Sequence, residues 1–305
     1  MILCHTGMYS GGYWGKLIAQ IIYSFHMPTF FIISGYLFKP HAWWKTVKAF
    51  LLPVLFFSAI VLIKAAITQY FRISCIHLDE IVDLNTYWCN NTGHGPLFVG
   101  QWFIFALMGC RFMMGDFSIF RIFGKYYWII GTICFAYVTI DNYFNEEYFF
   151  KTTYLYNSVV AMVFFTLGMF LKEHKFDFSK YSISLCTILS IVAIFLSVLN
   201  GRIDMLERNY GFSSLLFYLN AIIASLNLFM WTSKLKQYDG VRLYSIGTLA
   251  LLGSHMILNS FISPILKNTG LCIEFISIIS SIIFVLLNYP LIFFCSKKAN
   301  WILGK

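Results

Sequence analysis

Tyr23-Ser24-Phe25-His26-Met27-Pro28-Thr29-Phe30-Phe31-Ile32-Ile33-Ser34-Gly35-Tyr36-Leu37-Phe38 is long and apolar enough to lie inside a membrane, yet it holds a histidine, a Met-Pro step and a Ser-Gly pair. An ionisable group is costly within a bilayer, so His26 marks a functional-site hypothesis by default. Pro28 lacks an N–H and frees a carbonyl one turn earlier, and Gly35 allows a neighbouring backbone to come close. The stretch reads as a site built into a membrane helix.

The whole chain supports that reading. Of 305 residues 59% are hydrophobic and 11% charged, where a soluble domain would carry about 25% charged residues. The expected class is an all-α, polytopic transmembrane helical bundle in a single domain spanning 1–305. Apolar runs of spanning length fall at 17–38, 49–68, 97–114, 126–141, 153–171, 181–199, 212–232, 243–262 and 271–295. That gives nine spans, of which 126–141 is the shortest.

Positive charge alternates between the connecting loops. Lys39, Lys45, Lys48, Arg111, Arg121, Lys125, Lys172, Lys175, Lys180, Lys234, Lys236, Arg242, Lys297, Lys298 and Lys305 fall on one side. Asp79, Glu80, Asp83, Glu146, Glu147, Asp204 and Glu207 fall on the other. The positive-inside rule assigns the lysine-rich side, with the C-terminus, to the cytoplasm. Met1 then lies outside, and residues 1–7 look like the tail of an apolar segment, so we expect a tenth span ahead of this sequence. The net charge of +9 does not suggest nucleic acid, because the basic residues sit in short loops between apolar runs.

Candidate chemistry follows from placement. His5 and His26 flank one short loop and belong to adjacent antiparallel helices, where an imidazole can act as a general base. Lys45 and Lys48 follow Trp43-Trp44 at a cytoplasmic mouth, and with Arg111 and Arg121 could hold the phosphates of a soluble cofactor. Simple topology-setting charge is the competing account. Gln101 and Trp102 begin the third span and could line a substrate path or anchor the interface. Asn157, Asn220, Asn227 and Asn259 are expected to join helices. His255 follows Gly253-Ser254 and reads first as structural. Cys75 and Cys89 share one long loop and could pair in an oxidising compartment. The sequence holds no zinc spacing, Gly-rich phosphate loop or serine nucleophile elbow.

At these residues the chain resembles the acyltransferase type 3 family of integral-membrane O-acyltransferases, and within it the fucose 4-O-acetylase-like group. The match is carried by His5-Thr6-Gly7, by Phe25-His26-Met27-Pro28 through Ser34-Gly35-Tyr36-Leu37-Phe38, and by Lys45…Lys48 running into Leu52-Pro53. Ile246-Gly247-Thr248-Leu249 with His255 adds a fourth block, and Gln101-Trp102-Phe103 a weaker fifth. The chain departs from the family in lacking the basic residue upstream of the first histidine and the basic-polar pair after Gly247.

The resemblance implies transfer of an acetyl or other acyl group from acetyl-CoA, a co-substrate rather than a bound cofactor, to a hydroxyl of an exported glycan or lipid-linked sugar. It implies catalytic roles for His5 and His26. Substrate contacts would come from Ser34, Gly35, Gln101, Trp102 and His255, and donor contacts from Lys45, Lys48, Arg111 and Arg121. It also implies a bacterial inner membrane, membrane lipid as partner, no nucleic acid and no metal. The alternative reading is a transporter or flippase of a lipid-linked saccharide, which predicts charged groups along several spans facing one cavity.

Overall fold

The break in the opening stretch falls just ahead of the histidine. Helix α1 (Tyr13–Tyr23) stops at Ser24, Phe25 leaves helical geometry with φ −138°, and α2 (His26–Tyr36) begins at His26. Pro28 thus sits in the first turn of α2, where its missing N–H has no helical partner to lose. The computed structural model describes residues 8–76, 102–144, 154–236 and 238–303, without the side chains of Tyr154, His255, Met256, Ser260, Asn300 and Leu303.

Ten further helices follow: α3 (Trp43–Ile73), α4 (Trp102–Arg111), α5 (Arg121–Lys125), α6 (Tyr127–Phe144), α7 (Tyr154–Glu173), α8 (Ile183–Asn200), α9 (Ser214–Thr232), α10 (Asp239–Ile246), α11 (Thr248–Lys267) and α12 (Ile273–Lys298). The protein is an all-α helical bundle with the apolar helices of an integral membrane protein. Among the described residues, six helical segments are long and apolar enough to cross a membrane, and eight if each of two bent pairs counts as one span. One bent pair is α4 with its continuation: a π-turn over Phe112–Asp116 ends at Gly115 with φ 126°, and the chain then turns by 70° into α5. Few side chains tolerate that backbone, so glycine is required there. The other bend lies within α11. The expected 126–141 span is helical as α6, but it is not among those segments, so the described residues give six to eight where nine were expected.

Helix α7 is the centre of the bundle. Four glycine contacts seat its neighbours directly on its backbone or on short side chains. A Cβ at Gly35 of α2 would overlap the Phe165 carbonyl, and one at Gly168 of α7 would overlap the Ile32 carbonyl. Gly109 of α4 lies against Ser158, and Gly131 of α6 against Thr166. Lipid tails are as apolar as leucine, so close packing rather than water exclusion must drive such association. The aromatic core that results includes Phe31, Phe164, Phe165, Phe217 and Tyr218, all fully buried. A smaller bundle stands beside it, where α3, α11 and α12 enclose Phe57, Ala250, Ile292 and Cys295. Gly253 of α11 meets the Phe57 ring there, and Gly247 meets Ile292.

Long-range contacts at the two ends of the bundle keep lysine-rich and lysine-poor loops apart. Lys172 Nζ donates to the Phe38 carbonyl at 2.5 Å, Arg111 to the Lys39 carbonyl at 3.2 Å and Lys234 to the Tyr181 carbonyl at 2.6 Å. At the other end Gly12 N–H donates to Glu274, Arg202 lies over the Tyr9 ring, and Tyr156 OH donates to Asp141 at 2.6 Å. We expect Gly35→Ala and Gly168→Ala each to destabilise the purified protein by about 1–3 kcal/mol, the usual cost of overpacking. Gly240→Ala, where an added Cβ meets nothing within 4 Å, should leave the thermal midpoint in detergent unchanged.

Candidate functional site

His26 is buried, and its ring closes the end of α1. Nδ1 lies 3.0 Å from the Ile22 carbonyl in the last turn of that helix, which also accepts from the Phe25 N–H at 3.3 Å. A carbonyl can only accept, so this bond assigns the proton to Nδ1 and leaves the lone pair on Nε2. That is the tautomer a general base needs. The ring meets Tyr23 edge-on at 4.9 Å, Tyr23 meets Tyr9 at 5.0 Å, and the Arg202 guanidinium sits 5.3 Å from the Tyr9 ring. An aromatic column therefore runs from the lysine-poor end down to the imidazole.

Hydroxyls surround this turn. Ser24 Oγ and Ser197 Oγ are 2.9 Å apart, and Asn220 donates to Ser197 at 2.8 Å. Thr29 Oγ1 and Ser225 Oγ are 2.8 Å apart. These bonds tie α1 and α2 to α8 and α9 beside His26. Above them the 201–211 loop folds back in an antiparallel bridge between Asp204 and Asn209, and Asn200 donates to the Tyr210 carbonyl. Burial pushes the Asp204 carboxyl up from its ordinary range, against the opposing pull of the Glu207 and Leu206 N–H groups and of Arg202.

The lysine-rich end has a different chemistry. A cavity of about 270 Å³ is lined by Trp44, Lys45, Lys48, Ala49, Leu52 and Trp301. Lys45, Lys48 and Leu52 recur at i, i+3 and i+7, so one face of α3 supplies them. Beside it, Asp116 is buried within a set of donors. Arg111 Nε lies 2.9 Å from it, the His41 N–H 2.9 Å, and Thr46 Oγ1 completes the set. Arg111 also reaches His41 Nδ1 at 2.7 Å and covers the Phe38 ring at 5.0 Å.

The expected site residues therefore separate. Lys45 and Lys48 share a cavity, while Arg111 is neutralised by Asp116, and Arg121 lies exposed next to the Gly115 turn. Ser34 donates to the Phe30 carbonyl of its own helix at 2.7 Å, and Gly35 is filled by the Phe165 backbone. Trp102 is buried at the start of α4 with its ring near Phe103. His5 and Gln101 lie outside the described residues, as do the His255 side chain and Cys89, so the Cys75–Cys89 pairing lies outside them too.

Sequence reading passed over Asp116, Thr46, His41 and Trp301. Asp116 carried a signal, being the single acid between Asp83 and Asp141. Among the described residues, no group of three or more His, Cys, Asp or Glu could hold a metal ion.

The span asparagines divide as well. Asn220, Asn227 and Asn288 bond to serines on other helices, as expected of Asn220 and Asn227, but both polar side-chain atoms of fully buried Asn157 lack a partner. Replacing an unpartnered buried amide by an apolar group of similar shape removes a desolvation cost. We expect Asn157→Leu to hold or raise the stability of the purified protein, by up to about 1–3 kcal/mol, read as an unchanged or higher thermal midpoint.

Two further observations complete the picture. No curated protein and no solved structure matches the chain. The model of the acyltransferase type 3 family, described as an acyltransferase domain, matches residues 1–296. With an all-helical membrane bundle and the match running over nearly the whole sequence, the chain belongs to the acyltransferase type 3 family.

Proposed function

We propose that this membrane acyltransferase moves an acetyl group from acetyl-CoA at the lysine-rich face to a hydroxyl of an exported or lipid-linked glycan at the lysine-poor face. The observation that carries the reading is the Nδ1–Ile22 carbonyl bond, which leaves Nε2 of a buried histidine as an acceptor. The lysine-rich face is cytoplasmic in this reading, and the membrane is a bacterial inner membrane.

Each end supports its half of the reaction. Lys45 and Lys48 supply positive charge to the cavity for donor phosphates, and Trp44 and Trp301 offer flat faces for a base. His26 lies ten residues before Tyr36, about 15 Å along the helix, so the acyl end of a long, narrow donor must reach up through the bundle. CoA has that shape. From the other side, the Tyr9–Tyr23 column provides the aromatic surfaces on which sugar rings pack.

In the reaction, the glycan hydroxyl oxygen attacks the thioester carbonyl as His26 Nε2 takes its proton. The carbon–sulfur bond then breaks, and the CoA sulfur leaves as the thiol, taking up the proton from the imidazolium. His5, which lies outside the described residues, would share or relay that proton. In the variant course, the imidazole itself takes the acyl group before the acceptor arrives. Labelled acetyl on protein in the absence of acceptor would establish that variant.

Transfer of labelled acetyl from acetyl-CoA to glycan in membranes tests the reading. His26→Ala should lose about 10²–10⁴-fold, the range for a general base, at unchanged protein level. Lys45→Gln with Lys48→Gln should raise the KM for acetyl-CoA at least several-fold and leave kcat near wild type. Undiminished transfer by His26→Ala would remove the histidine from the chemistry.

A further inference from the structure

We infer that Asp116 is a positioning residue for the donor cavity, acting through Thr46 to set the aim of Lys45 and Lys48. The inference rests on the reading of that cavity given above. Helix α3 begins at Trp43 after Ala42, and no side chain caps its first turn. An uncapped turn leaves backbone N–H groups without partners and frays readily. Yet this turn carries Trp44 and Lys45, and the next turn Lys48, which line the cavity.

What holds it is on the opposite side. Thr46 is buried and donates its hydroxyl to Asp116 Oδ2, while the N–H of His41, just before the helix, donates to Oδ1 at 2.9 Å. The carboxylate thus grips the chain on both sides of Ala42, from beyond the Gly115 turn. Lys45 and Lys48 flank Thr46 in sequence but face away from it, so one face of the turn is clamped and the other is presented.

The same carboxylate sorts the charges. Arg111 lies on it through Nε at 2.9 Å and Nη2 at 3.4 Å, which neutralises the guanidinium and leaves the two lysines as the cations lining the cavity. A buried acid with an arginine, a hydroxyl and an amide N–H around it has its acceptor sites well occupied. Its geometry is correspondingly stiff, as an anchor for a substrate-binding turn requires. Asp116 touches no reacting atom in this account, and its effect falls on donor affinity.

Equilibrium binding of radiolabelled acetyl-CoA to the purified full chain in detergent tests this, beside the thermal midpoint of each variant. Thr46→Val should weaken binding about tenfold, roughly the effect of one charge-assisted contact, measured at a temperature where its thermal midpoint shows the chain still folded. Thr46→Ser, which keeps the hydroxyl, should bind within twofold of wild type. Asp116→Asn should weaken binding at least as much as Thr46→Val, and the double variant no more than Asp116→Asn alone, since both act on one contact.

Wild-type affinity in Thr46→Val, while Lys45→Gln/Lys48→Gln loses binding, would overturn the positioning role and leave the cavity as the donor site. Equal weakening by Thr46→Ser and Thr46→Val would also overturn it. Wild-type affinity in the double lysine variant would overturn the cavity reading itself.

Discussion

The bundle depends on one crossing, where Gly35 of α2 rests on the Phe165 carbonyl and Gly168 of α7 rests on the Ile32 carbonyl. Each helix uses a missing side chain to admit the other's backbone. Inside lipid the hydrophobic effect does not favour one helix partner over another, so such contact is what selects the pairing. Helix α7 repeats the device at Gly109 with Ser158 and at Gly131 with Thr166, and so holds α4 and α6 as well. Ring packing among Phe164, Phe217 and Tyr218 fills the space that the glycines define.

Both candidate sites hang from that crossing. Above it, α2 runs back to His26, whose height in the bundle is set by helical rise from Gly35. Below it, the chain leaves α2 at Phe38, where Lys172 of α7 takes the carbonyl and the Arg111 guanidinium covers the ring. The chain then meets Asp116 before α3 begins. A buried Arg–carboxylate pair is costly to desolvate and persists only where further hydrogen bonds complete it. Thr46 and the His41 N–H supply them here. The imidazole and the start of the helix that lines the Lys45–Lys48 cavity are therefore held by one continuous chain segment, pinned at its middle.

Much of this was legible in the residues. His26-Met27-Pro28 marked an ionisable group and a missing N–H inside one apolar span, because proline and histidine each have a local consequence that no partner is needed to reveal; that the helix breaks at Phe25 came from the structure. The alternation of Lys and Arg sorted the loops into two sets, and the contacts between loops keep the same two sets. Ser34 and Gly35 were read toward substrate, yet one serves its own helix backbone and the other a neighbouring helix. A small residue in a membrane helix suits close approach of a ligand or of a helix equally well, and sequence does not distinguish the two. Arg111 and Lys48 likewise look alike as basic residues near a span end. They differ because an acid five residues after Arg111 turns back onto it across Gly115.

The sequence by itself determined the class: apolar runs of spanning length leave a chain no alternative to helices in lipid, since every backbone polar group must be satisfied within its own segment. It also determined the two-sided distribution of charge and the family motifs. Tertiary structure decided which glycines are packing surfaces, which cations are neutralised, and that Trp301 lines one cavity with the distant Trp44. Those outcomes depend on contacts between residues far apart in the chain. Helix periodicity and local composition carry no information about which distant face a given residue will meet.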